Sequence, residues 1–106
     1  MPLSHLTVAL NCSNSGENVV IDAPADGRRI AVYEMLAVAA GPVNATFRSD
    51  TTALCGPLAL PANGSGLRDG HPDNHRPILV CAPNQALIVT LSAAVQVGGR
   101  VSYEIV

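Results

Sequence analysis

The chain predicts an all-β sandwich of about eight antiparallel strands. Near its end Val101, Tyr103 and Ile105 alternate with Ser102 and Glu104, and a period of two marks a half-buried strand rather than a helix. Turn chemistry recurs at roughly 8–12-residue spacing, the pattern of a sandwich or barrel. Gly98-Gly99 stands where a two-residue hairpin needs positive φ at both central positions. The region from Ala86 to Val106 is therefore expected to form a terminal β-hairpin.

The elements follow in order. Leu6, Val8 and Leu10 alternate with Thr7, Ala9 and Asn11 in a first strand within Leu3 to Cys12, and Asn11 to Gly16 is turn chemistry. Glu17 to Ala23 reads as a short strand with Val19 and Ile21 on one side and Asn18, Val20 and Asp22 on the other. Pro24 to Gly27 is a turn with Asp26-Gly27 at its tip. Arg28 to Ala40 reads as a strand buried on both sides. Its Ile30, Val32, Tyr33 and Val38 favour β structure. A helix stays the alternative, because Ala31, Glu34, Met35, Leu36, Ala37 and Ala39 are good helix formers and Gly41-Pro42 would stop one.

Val43, Ala45 and Phe47 against Asn44, Thr46, Arg48 and Asp50 predict a strand with one wet face. Thr52 to Leu60 continues the pattern but is interrupted by Gly56-Pro57, so an edge or bulged strand is expected. Residues 61–77 read as one long irregular loop, holding three of the nine glycines, three of the eight prolines and two of the three histidines. Such loops are usually functional or disordered. Ile78 to Cys81 is a short strand, and Ala82 to Gln85 a turn before the final strands.

At 106 residues a single domain is expected. Hydrophobic residues make up 48% and charged residues 13%, against about 25% charged in ordinary soluble domains. All six basic residues are arginine. So little charge implies that other subunits cover much of the surface. The net charge of −2 with no basic patch argues against nucleic acid. Two Tyr, one Phe and no Trp leave no stacking platform for single strands or sugars. No apolar run reaches the ~18 residues that would cross a bilayer as a helix, and Met1 to Thr7 lacks the features of a signal peptide. A soluble protein made in a cytoplasm, with no membrane partner, is the expectation. Cys12, Cys55 and Cys81 form no CxxC pair and are expected to be free thiols buried as small core hydrophobes.

His71, Asp73 and His75 are the one cluster of metal-ligand types. An open, proline-containing loop does not fix ligands, and no fourth ligand is near, so a solvated or partner-contacting loop is the favoured reading and no metal or other cofactor is expected. Cys55 and Cys81 lack a nucleophile signature, and Gly64 to Gly66 lacks the lysine and helix of a phosphate loop. Asn11, Asn44 and Asn63 match the glycosylation pattern; with no export signal expected, these are expected to be chance matches. No catalytic residues are identified.

Two blocks, Gly41 to Leu60 and Leu91 to Gly99, resemble small β-sandwich proteins of tailed bacteriophages, the capsid decoration or cement proteins. The likeness extends over about residues 28–106, with a more polar stretch at His71 to Arg76. The resemblance implies a jelly-roll-like β-sandwich that binds the major capsid protein on the exterior of the virion head as a symmetric homo-oligomer, a dimer or trimer. It implies synthesis in the host cytoplasm and no catalysis. The expected partner contacts lie in the arm of residues 1–6 (Leu3, His5, Leu6) and in the long loop (Leu67, Arg68, His71, His75, Arg76), since terminal arms can add a strand to a neighbour's sheet. The alternatives are a fibre or tail module that binds a host receptor or glycan, and a small metal-dependent enzyme built on His71, Asp73 and His75.

Overall fold

The computed structural model describes residues 6–61, 67–70 and 76–106. Among them the chain is all β, with no helix and ten strands in two five-stranded antiparallel sheets. In the first sheet β1 (Leu6–Cys12) pairs with β10 (Val97–Ile105), which pairs with β3 (Ile30–Ala39). The far side of β3 carries two short strands, β7 (Leu67–Gly70) and β8 (Leu79–Val80). In the second, β2 (Gly16–Ile21) pairs with β9 (Leu87–Leu91), which pairs with β4 (Val43–Ser49). The far side of β4 carries β5 (Thr52–Ala53) and β6 (Leu58–Leu60). From β1 to β4 each successive strand changes sheet, and so does each from β8 to β10.

The inner faces meet in one buried cluster. Leu10, Val32, Val97 and Val101 come from the first sheet, and Phe47, Leu87, Val89 and Leu91 from the second. β4 holds the expected alternation, with Val43, Ala45 and Phe47 inward. Burying the Phe47 ring alone stabilises the fold by about 2–3 kcal/mol.

The segment that read as strand or helix is the strand β3, and its ambiguity has a physical cause. Ser102 of β10 faces Glu34 while the next residue, Tyr103, faces Val32, so Tyr33 is an extra residue in a bulge. Ile30 and Val32 point inward before the bulge; Met35, Ala37 and Ala39 point inward after it. The phase change erases the period of two along the whole strand.

Four expectations are corrected. The terminal hairpin does not form: β9 and β10 lie in different sheets, and Gly98 and Gly99 are inside β10. Leu87, Ile88, Val89 and Leu91 are buried, and this short apolar strand is held between β2 and β4 rather than beside β10. The turn with two positive φ values is at Asp26 (60°) and Gly27 (72°), closed by Arg28 N–H donating to the Ala25 carbonyl at 3.1 Å. Second, residues 61–77 are not irregular throughout, because Leu67–Gly70 forms β7 along β3 and the half-buried Leu67 packs against the core. Third, Val19 and Ile21 do not share a face of β2, since Ile21 is buried in the core. Asn18 is buried and Val19 is 60% exposed, because a register shift between Val19 and Ile21 leaves Val20 as an extra residue. Fourth, the described strands number ten and not about eight, because Thr52 to Leu60, at the sheet edge and interrupted around Gly56-Pro57 as expected, counts as two short strands on β4, and β7 is added.

Candidate functional site

The expected contact residues fall into separate places. Leu6 opens β1 and is 54% exposed. Leu67 is half-buried and Arg68 exposed on β7, and Arg76 is exposed just before β8. β10 and β3 lie between these groups, so the two sets occupy opposite edges of one sheet. Leu3, His5, His71, Asp73 and His75 lie outside the described residues, as does the metal reading built on the last three. Among the described residues no group of three or more His, Cys, Asp or Glu is placed to hold a metal ion. No described helix is long and apolar enough to cross a membrane.

Beside Leu6 is an open recess of about 480 Å³ lined also by Arg28, Glu104 and Ile105. Arg28 Nη2 donates to the Ile105 carbonyl at 3.1 Å, and the Arg29 and Val106 backbones exchange two hydrogen bonds of 2.8 Å. The start of β3 and the end of β10 are thereby tied together beneath the recess.

A second recess, of about 440 Å³, opens where Thr52 and Leu54 meet Val80 and Pro83, with Arg29 at its margin. Its floor is a hydrogen-bonded clamp. Ser49 is the inward position after Val43, Ala45 and Phe47, so strand parity buries it. Ser49 Oγ donates to Gln85 Oε1 at 2.6 Å and accepts from Ala82 N–H at 3.0 Å. Asp50, held at φ 48°, accepts from Ala86 N–H at 2.9 Å through Oδ1 and donates its own N–H to the Ala86 carbonyl at 3.0 Å. The turn before β9 is pinned to the end of β4 in this way. Its shape is set by Pro83 and by Asn84 at φ 60°, with Gln85 N–H donating to the Ala82 carbonyl at 3.3 Å.

Chemically this is a clamp. The Ser49 proton goes to an amide oxygen and not to a base, so the hydroxyl is not activated as a nucleophile. Burial pushes the neighbouring Cys81 thiol up; Ser49 lowers it and Asp50 raises it further. The net shift keeps the sulfur protonated at neutral pH. Cys12 is pushed up in the same way by burial, against a lowering backbone hydrogen bond from Asn11. All three cysteines are free thiols; Cys12 and Cys81 are buried and Cys55 is half-buried.

No family model, curated protein or solved structure matches the chain.

Sequence reasoning passed over Ser49, Gln85 and Asn18. Ser49 was open to detection as the next inward position of β4. Asn18 was hidden by the bulge at Val20. Its side-chain amide donates to the Asn14, Gly16 and Val89 carbonyls at 2.9, 3.2 and 3.3 Å, and its oxygen accepts from Asn14 N–H at 3.2 Å. A buried amide with all these partners closes the turn between β1 and β2. On the outer face of the first sheet Arg100 Nη2 reaches Glu34 Oε1 at 3.4 Å, an exposed pair of small energetic weight.

Proposed function

We propose that the chain is a structural virion protein: a jelly-roll capsid decoration or cement protein that binds the major capsid protein on the outside of a phage head as a symmetric oligomer. The observation that carries the reading is the strand order, β1-β10-β3-β7 in one sheet and β2-β9-β4-β5 in the other. The last two strands return to pair beside the first two, as the double Greek key of a jelly roll requires. The resemblance supports the same reading. Its first block, Gly41 to Leu60, spans β4, β5 and β6, and its second, Leu91 to Gly99, runs from the end of β9 into β10.

The physics of decoration suits such a unit. A protein that binds the assembled shell and not its parts shifts the equilibrium toward the shell by mass action. Many copies placed by symmetry hold through avidity although each contact is weak. A chain with 13% charged residues and no lysine leaves apolar area on its surface for neighbours, Leu6, Val19 and Val80 among it.

The test is co-sedimentation of the purified chain with mature heads of the phage that encodes it. Saturable binding at a fixed ratio to the major capsid protein is expected. A chain that stays in the supernatant at tens of micromolar refutes the reading, and binding to tails or fibres alone would replace it with the receptor- or glycan-binding module.

A further inference from the structure

Natural sheets defend their edges against pairing with other chains by short strands, charge, proline or bulges. Most edges here are defended. β5, β6, β7 and β8 have two to four residues each. β2 has six but carries Glu17 and the bulge at Val20. β1 is the exception. It has seven residues, pairs with β10 in unbroken register along one side, and has no strand on its other side among the described residues. Leu6 to Cys12 contains no charge and no proline.

We infer that β1 pairs antiparallel with β1 of a second copy, across a two-fold axis centred on Ala9, joining two sandwiches through one continuous sheet. The register follows from parity. Leu10 and Cys12 face the core and Ala9 and Asn11 face solvent. A two-fold axis perpendicular to the sheet keeps both inner faces on the same side, so each residue must oppose one of its own parity. Only Ala9 as the centre uses all seven residues. Thr7 then faces Asn11 of the other copy, and Val8 faces its Leu10, with no like charges opposed. Leu6 gains cover. The charge facing the axis residue is Arg100, opposite Ala9 on β10 and paired with Glu34 at 3.4 Å; Arg28 and Glu104 lie beside Leu6 at the end of the strand. Across the axis the two Arg100 backbones stand three strand spacings apart, about 14 Å, beyond the Debye length of about 8 Å.

The inference rests on the proposed function only for the claim that the chain associates with itself. Sedimentation velocity of the wild type, of Ala9→Glu, of Ala9→Lys and of the 1:1 mixture tests it. The wild type is expected as a dimer. Each variant, with like charges opposed at the axis and an unchanged far-UV spectrum, is expected to dimerise at least about tenfold more weakly, and the mixture to recover a dimer. A wild type that is monomeric at ~100 µM or trimeric overturns the inference, as does a variant that dimerises as tightly as the wild type.

Cross-linking keeps the test decisive if a charged variant fails to fold. With Cys55→Ser as background, Ala9→Cys is expected to give a covalent dimer on mild oxidation, since opposed Cα atoms lie about 4.5–5.5 Å apart. Asn11→Cys is expected to give none, its two copies being about 14 Å apart along the strands. Absence of the Ala9→Cys product, or equal linking at both positions, overturns the register. Capsid co-sedimentation of a wild type that does not pair in this way would leave the decoration reading standing while this inference falls; a dimer that ignores capsids would do the reverse.

Discussion

Gly99 lies against the backbone of Leu36 so closely that a Cβ on it would sit 2.7 Å from the Leu36 carbonyl carbon and overlap its oxygen. Gly99 also has φ 153°, a value that L side chains rarely adopt. The glycine pair that looked like a hairpin tip is the point where β10 crosses close to β3. Gly99→Ala is expected to destabilise the fold by at least about 2 kcal/mol, through clash and backbone strain. Gly98→Ala is the control, because its Cβ would meet nothing nearer than the Leu10 carbonyl at 3.9 Å; it should cost less than about 1 kcal/mol. Urea unfolding of both variants checks the contrast, and equal effects would contradict the close approach.

Ser49→Ala removes both bonds of the clamp at the end of β4, leaving Ala82 N–H and Gln85 Oε1 without that hydroxyl. The expected loss is about 1–3 kcal/mol. Hydrogen exchange should speed at Ala82 and Gln85 while the centre of β9 stays protected. A change spread evenly over both sheets would mean that the clamp is not local.

On β2, Asn18→Ala should cost about 1–3 kcal/mol because it strips the turn of its partners, whereas Val19→Thr, at an exposed site, should fall within about 0.5 kcal/mol. The alternation of the sequence alone would expect the opposite ranking. Thermal unfolding of the pair therefore reads directly which face of β2 is buried.

The thiols give a pH signature. Cys12 and Cys81 have folded-state values raised above the ordinary thiol range, chiefly by burial. The unfolded chain therefore releases these protons at lower pH than the folded one. Their contribution to stability is fully present below about pH 8.5, the unfolded value. It is lost as the pH rises from there through the raised folded values. In Cys12→Ala and Cys81→Ala variants the alkaline loss of stability should shrink. Native alkylation at pH 7 followed by intact mass should label Cys55 first; rapid labelling of two or three sites would contradict the burial of the others.

The fold was legible where each strand kept one phase. Val43, Ala45 and Phe47 on β4, and Leu6, Val8 and Leu10 on β1, alternate as single-phase strands do. Legibility failed at the bulges, where one extra residue, Tyr33 or Val20, reverses the inward parity and leaves no mark in composition. It failed again at the pairing of β9 and β10, because adjacency in sequence says hairpin while the sandwich sends each strand to a different sheet. β7 was masked by its setting in a loop rich in glycine and proline. Of the expected contact residues, Leu6 and Arg68 are exposed, although alternation alone puts Leu6 on the apolar side of β1 with Val8 and Leu10. That they stand on opposite edges of one sheet was not legible, since only the strand order separates them.

A decoration protein must sit on a capsid lattice in many copies. Quantitative mass spectrometry of purified virions from the source that encodes it, with copies counted against the major capsid protein, tests this most directly. Hundreds of copies per particle, in a simple ratio to the capsid subunits, are expected. Absence from the particle, or a handful of copies as expected for a tail or vertex component, would contradict the decoration reading.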